Sequence, residues 1–323
     1  MNCLQIMRQA RSEVDALRSG GTVHSGMWID EEVLAALNTS MNRTARLLRL
    51  AGSDLLTKTM NSGDANQDLI TESYDPSSLA LVDGTTDYTL PPDFVRLVSL
   101  RITTAGYEGV VFKPSSLNSE DFITQRSIPV AELGSGTNRD MVFSYVIIGA
   151  RTLRLAPTPR DAVAIELVYH YRPPRLRFYN TGTVTTAAST SVTGSGTSWL
   201  SVGLRTPADF LSQVTATTGV SMDAYYAEIA SIETNTALTL SRSFTGTTGS
   251  GQTYYIAMTP TLPEEHHTWL AQLTAATMLR KVDADLSAKL QADLAMQLLE
   301  GVTPEVTLRQ LQESLIAEAF EIR

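Results

Sequence analysis

The stretch Asp87-Tyr88-Thr89-Leu90-Pro91-Pro92-Asp93-Phe94-Val95-Arg96-Leu97-Val98-Ser99-Leu100-Arg101-Ile102-Thr103 sets the class of the fold. A residue that precedes proline is pushed out of the helical region, so Leu90-Pro91-Pro92 is extended chain approaching a turn. From Val95 onward the chain has a period of two. Val95, Leu97, Ser99, Arg101 and Thr103 alternate with Arg96, Val98, Leu100 and Ile102, and the mostly apolar second set predicts a strand with that face buried. Downstream, Ser119–Gln125 reads as a short helix capped by Ser119, with Glu120 and Asp121 in its first turn. Met141–Ile148 and Thr152–Ala156 read as a hairpin joined by Gly149-Ala150-Arg151, and Ala162–Tyr171 as a further strand that stops at Pro173-Pro174.

Upstream the period is helical. Leu4, Met7, Ala10, Val14 and Leu17 share one helix face, which Gly20-Gly21 ends. A second helix is expected from Asp30, as cap, through Val33, Leu34, Leu37, Met41, Ala45 and Leu48, and a third short helical piece over Asp54–Met60. Between Phe178 and Pro263 only Arg205, Asp209, Asp223, Glu228, Glu233 and Arg242 are charged, while Thr, Ser and Gly dominate. Short strands recur at Thr181–Thr186, Thr190–Thr193, Gln213–Thr217, Tyr225–Ile232, Ala237–Leu240 and Tyr254–Met258, as in a small sandwich or barrel. Trp199, Phe210, Tyr225, Tyr226, Phe244, Tyr254 and Tyr255 give this segment the aromatic content that a disordered linker lacks. Beyond Pro263 the helical period returns, with leucines at 286, 290, 294 and 298 up to Gly301. A last amphipathic stretch carries Leu308, Leu311, Leu315 and Ala319. The expected class is α+β: a helical bundle of N- and C-terminal helices, a central β-sheet body and an inserted all-β sandwich or barrel. The expected divisions are residues 1–68, 69–177, 178–259, 260–301 and 302–323.

The chain has 323 residues, 43 % apolar and 18 % charged, against about 25 % charged in an average globular protein. It can therefore bury a real core, and a net charge of −9 argues against a simple basic nucleic-acid binder. Its single cysteine, Cys3, excludes an intrachain disulfide and suggests synthesis in a reducing cytoplasm. No apolar run nears the roughly 20 residues of a membrane span, and the first residues carry no secretory stretch.

The motifs that could carry chemistry have structural readings. Gly246-Thr247-Thr248-Gly249-Ser250-Gly251 has its glycines in the wrong order for a dinucleotide site and reads as a hairpin turn. The histidines are His24, His170, His266 and His267. Glu264 and His267 stand at i, i+3, but no second such pair exists to complete a di-metal site, so this is an acidic helix start. No Gly-x-Ser-x-Gly elbow is present; Ser195 and Ser250 are turn serines. No catalytic residue, metal or cofactor is expected. Arginine outnumbers lysine 21 to 4. Arg43, Arg46 and Arg49 share a helix stripe, and Arg172, Arg175 and Arg177 flank a Pro-Pro; either group could hold phosphate oxygens or a neighbour's carboxylates, or be a solvated face.

Four segments carry a resemblance. Tyr88-Thr89-Leu90-Pro91-Pro92-Asp93-Phe94-Val95-Arg96-Leu97 resembles a segment of tailed-phage head-to-tail adaptor (connector) proteins. Ile148-Gly149-Ala150-Arg151-Thr152-Leu153-Arg154-Leu155-Ala156-Pro157-Thr158-Pro159, Tyr169-His170-Tyr171-Arg172-Pro173-Pro174 and Leu262-Pro263-Glu264-Glu265-His266 are similar to later segments of the same family, in order. Together they cover about residues 29–176 and 262–299. The resemblance implies a non-enzymatic virion protein of the neck, made in the host cytoplasm, that forms a ring, commonly of twelve copies, beneath the portal protein. Such a ring would extend the channel for double-stranded DNA, help retain the packaged genome and dock tail or nozzle proteins, with no membrane involved. The 178–259 segment looks like small β modules of phage neck, tail and fibre proteins. The amphipathic tail, with Leu308, Leu311, Leu315 and Phe320, is expected to dock on the portal or a neighbour. Another neck or tail component, such as a tail-tube or tail-tip protein, and a glycan-binding β module on a helical stalk are the alternatives.

Overall fold

The structure, a computed structural model, describes residues 1–17, 28–62, 75–105, 107, 110–127, 142–160, 162–213, 226–246 and 248–302. The chain divides into two compact units, one made of residues 1–55 and 173–323, the other of Leu56–Arg172.

The first unit begins with helix α1 (Cys3–Leu17). Asn2 caps it reciprocally: its Oδ1 accepts the Gln5 N–H at 3.1 Å, and Gln5 Oε1 accepts the Asn2 N–H at 3.0 Å. Cys3, Ile6, Met7, Ala10 and Val14 form its buried stripe. Helix α2 (Asp30–Leu50) buries Val33, Leu37, Met41, Ala45 and Leu48, as the spacing predicts. Its cap is Ile29 and not Asp30; the Asp30 carboxylate instead accepts a bond from Arg11 at 2.6 Å.

The second unit begins at Leu56, inside the segment expected to be a short third helix. Only Asp54–Leu56 is a helical turn, and Thr57–Asn61 is strand β1. The helical expectation over Asp54–Met60 fails because this segment pairs with a strand more than a hundred residues away, and tertiary pairing overrides a five-residue local preference. Strands β2 (Asp87–Thr89), β3 (Phe94–Ile102) and β4 (Val111–Pro114) come next, then helix α3 (Glu120–Ser127) and strands β5 (Val142–Ile148), β6 (Thr152–Ala156) and β7 (Ile165–Tyr171). One sheet has the order β1-β7-β3, the other β2-β6-β5-β4. All pairings of these strands are antiparallel except β4 with β5.

The two sheets enclose one core. Met60, Phe94, Ile165, Leu167 and Tyr169 face it from the first sheet; Tyr88, Phe143, Leu153 and Leu155 face it from the second. Residues on the opposite side of the second sheet, Val146, Ile148 and Ala156, hold Phe122 of α3. The unit is thus layered as sheet, sheet and helix.

The Tyr88–Leu97 segment proves to be a turn and packing element. Tyr88 and Leu90 are buried, and the Tyr88 hydroxyl donates to Thr85 O at 2.8 Å. The Phe94 N–H closes a turn onto Pro91 O at 3.0 Å, and the Tyr169 hydroxyl donates to Asp93 Oδ1 at 3.0 Å. Strand β3 itself departs from simple alternation. Its register against β7 pairs Phe94 with Tyr171, Arg96 with His170, Leu97 with Tyr169 and Ser99 with Val168, leaving Val95 and Val98 as the extra residues of two bulges. Each bulge moves the pattern along by one. Leu97 therefore joins Leu100 and Ile102 against the core, while Val98, expected inside, is exposed.

Returning to the first unit, β8 (Phe178–Tyr179) precedes strands β9 (Thr183–Thr186), β10 (Ser191–Ser195), β11 (Ala208–Gln213), β12 (Tyr226–Ile232), β13 (Ala237–Leu240) and β14 (Gly249–Met258). Their order is β11-β12-β13-β10-β9-β14, and β14 pairs back to β11, closing a six-strand barrel among the described residues. Closure leaves these strands no open edge. Trp199, Phe210, Phe244 and Tyr254 fill the interior with edge-on and stacked rings. The Trp199 Nε1–H donates to the Tyr254 hydroxyl at 2.9 Å, which donates onward to Thr181 O at 2.7 Å. Gly182, at φ +85°, crosses so near β10 that a Cβ would lie 2.6 Å from Ser195 O, so only glycine fits. Gly249 and Gly251, expected in a hairpin turn, lie in the first part of β14.

Helices α4 (His267–Leu279) and α5 (Ala284–Val302) complete the unit. Helix α4 is buried on nearly every side and packs against α1, α2 and α5. Its hydroxyls bond inward: Thr274 Oγ1 donates to Leu270 O at 2.7 Å, and Ser40 and Thr277 meet at 3.2 Å. Asp283 caps α5 by accepting the Leu286 N–H at 2.9 Å. The α+β class and the small all-β barrel are both present.

Candidate interaction surfaces

Sequence motifs that hinted at chemistry resolve into structural locks. His267 is buried; its Nε2 donates to Leu262 O at 2.9 Å, which leaves Nδ1 as acceptor for the Met1 amine at 2.9 Å. Burial, with the neighbouring positive amine, holds the imidazole below its ordinary range, although the Leu262 bond opposes this. Glu264 meets the same amine at 3.5 Å. The Glu-x-x-His pair thus ties the start of α1 to the start of α4. No group of three metal-ligating side chains occurs among the described residues. Asn2 Nδ2 donates to Asp209 Oδ2 at 2.9 Å, binding α1 to barrel strand β11. Burial raises the Asp209 carboxyl above its usual range against the pull of that bond. Cys3 is buried, donates to Arg177 O at 3.4 Å, and has its thiol pushed up to about 12 by desolvation, so it is an unreactive core residue.

The arginines are dispersed. Arg43 is half-buried and donates to Gln291 of α5, which directs it into the helical layer. Arg46 is exposed and Arg49 half-buried, and each makes an interaction of its own. Arg172 closes the second unit, its backbone N–H on Asp93 O at 2.7 Å. Arg175 is exposed, and Arg177 donates to Val202 O beside Gly203. Leu308, Leu311, Leu315 and Phe320 lie outside the described residues.

Among the described residues three surfaces stand out. An open trough of about 400 Å³ in the first unit is lined by Trp28, Glu32, Ala35 and Ala36 of the α2 side and Thr277, Met278, Arg280 and Lys281 of the α4 end. Lys281 Nζ reaches across it to Glu32 at 2.9 Å and holds that carboxyl below its usual range. In the second unit the outer side of β3 shows Val95 and Val98 beside Arg96, while Arg101 is tied to Glu166 at 2.8 Å. On the helix layer, α3 and the turn before it expose Leu117 and Ile123 beside Glu120 and Asp121. Sequence reasoning does not find either of these faces: the bulges that expose the valines require knowledge of β7, and α3 is too short to declare its outward side.

Polar contacts lock these elements together, and several large apolar side chains are left exposed. The chain belongs to the SU10 adaptor protein family, a phage adaptor family whose model matches residues 1–191. The match starts at the first residue, earlier than the motif resemblance, and stops in β10. The Leu262–Leu299 stretch lies outside it. No curated protein matches the chain. Membership makes it a phage virion component that works through other capsid or tail components. No helix among the described residues is long and apolar enough to cross a membrane.

Proposed function

We propose that this chain is a non-enzymatic head-to-tail adaptor that forms a ring of twelve beneath the portal, extends the DNA channel, helps retain the packaged genome and docks the tail. The family match over residues 1–191 carries this reading. The segments that prompted it act as turns, caps and core, as a scaffold for assembly requires. In this reading the N- and C-terminal helices form the bundle at the portal side, and residues 178–259 are an insert within the adaptor core that presents a barrel to the tail. Its closed strands offer no edge for unspecific pairing. The tail over residues 303–323, through Leu308, Leu311, Leu315 and Phe320, lodges helix-in-groove on the portal or a neighbour. The exposed Arg46, Arg172 and Arg175 contact neighbouring subunits. Twelve copies at −9 each carry about −108, so the lumen is acidic to neutral and lets DNA pass without sticking.

The test is copy number and position in a neck reconstruction, with mixing of purified chain and portal followed by sizing. Twelve copies below the portal are expected, and deletion of Thr303–Arg323 should leave folded protein that no longer joins portals. Absence from the neck, or a six-fold or three-fold tail position, would overturn the reading.

A further inference from the structure

The second unit is layered sheet, sheet, helix, so the outer side of β3 and the outer side of α3 point in opposite directions. Both sides expose large apolar side chains. Val95 is 37 % and Val98 48 % exposed on β3; Leu117 is 43 % and Ile123 56 % exposed at α3. Scattered single apolar residues need no explanation, but here Val95 and Val98 bracket an exposed cation and Leu117 and Ile123 bracket two exposed carboxylates. Arg154 and, less strongly, Arg126, the exposed cation of α3, act on Asp87 and hold its carboxyl below its usual range. Arg96 stands between the valines, and Glu120 and Asp121 stand between Leu117 and Ile123. Among the described residues none of these three charges makes an ion pair. The two bulges matter twice. They turn Val95 and Val98 outward, and they break the regular row of backbone donors and acceptors, so the edge of β3 is suited to side-chain contact and not to an added strand.

We infer that the β3 face of one copy receives the α3 face of a second copy of this chain, with Arg96 against Glu120 and Asp121 and the valines against Leu117 and Ile123. Opposite charge selects the pairing, and the apolar residues supply area. Because the two faces differ and lie on opposite sides of one unit, the contact is heterologous. Such a contact propagates from copy to copy and closes into a ring when its rotation allows. This inference rests on the ring reading and names the surface that builds it.

The experiment uses full-length chain, alone and with purified portal rings, followed by sedimentation velocity. Two variants reverse the charges: Arg96→Glu, and Glu120→Arg with Asp121→Arg. All three residues are exposed, so Arg96→Glu should melt as the wild type does; the double variant also replaces the acidic first turn of α3, which lowers its melting slightly, and recovery of assembly in the mixture separates that effect from loss of the contact. Each variant alone should need on the order of a hundredfold more protein to assemble, since like charges are then apposed. An equimolar mixture should assemble as the wild type does, because every contact in an alternating ring then pairs opposite signs. Variants that assemble normally alone, or a mixture that stays unassembled, overturn this contact while leaving the ring reading intact. A wild-type chain that remains monomeric with and without portal overturns the ring reading, and this contact with it.

Discussion

Asn38 on α2 is the point where the chain, leaving the second unit through Pro173-Pro174, is fastened to the helical layer. Its Oδ1 accepts the Leu176 N–H at 2.7 Å, and its Nδ2 donates to Leu176 O at 3.1 Å and to Leu34 O at 2.9 Å. Asn38 is 8 % and Leu176 1 % exposed, so water does not replace these bonds when they are lost. The substitution Asn38→Leu keeps the branched outline of the side chain and removes the amide. It strands a buried N–H and a buried C=O on Leu176, each costing about 1–3 kcal/mol. The new apolar side chain returns about 1–2 kcal/mol. Taken at mid-range, the expected net loss is about 2.5 kcal/mol, which in a unit of this size lowers Tm by roughly 5–10 °C. Trp28, Trp199 and Trp269 all belong to the first unit, so tryptophan fluorescence during heating or urea titration reports on it. Thr39→Ala, one position away and exposed, is the control and should shift stability by no more than about 0.5 kcal/mol. If Asn38→Leu unfolds within about 2 °C of the wild type, the two bonds to Leu176 do not hold the returning chain.

Two further expectations concern the same unit. Tyr254→Phe leaves the Trp199 indole N–H and Thr181 O without their shared hydroxyl inside the barrel, and should cost about 2 kcal/mol by urea titration, with a change in tryptophan emission; an unchanged midpoint would count against the relay. The buried His267 titrates below its unfolded value, so the unfolded chain takes up a proton first as pH falls. Stability should be full above about pH 6.5 and decline below it, with a slope of at most about 1.4 kcal/mol per pH unit. Met1, Glu264 and His266 are the charged or titratable groups that face it. His267→Gln should flatten that decline; a variant with the wild-type pH profile would show that another group is responsible.

Legibility in the sequence depended on how far apart the interacting residues lie. The hairpin of β5 and β6 was legible because its signal is local: Gly149 takes a positive φ of 59° between two apolar runs. Helices α1, α2 and α5 were legible because their buried faces repeat every three to four residues. The reciprocal cap at Asn2 and Gln5 is written in the sequence but does not stand out there, since that spacing is common. For the outer face of β3 the signal was absent: Val98 carries an inward pattern in the sequence and an outward one in the fold.

Local chemistry along the chain was enough for the alternation of helical and extended segments, the class, the barrel-forming composition of residues 178–259 and the family motifs, because periodicity, turn residues and caps act over a few neighbours. Only in three dimensions does it emerge that Thr57–Asn61 is a strand, that β14 returns to β11 to close the barrel, and that two bulges turn Val95 and Val98 out of the core. Each of these is set by pairing with a partner tens of residues away or more, and the energy of such a pairing is written in both strands together and in neither by itself.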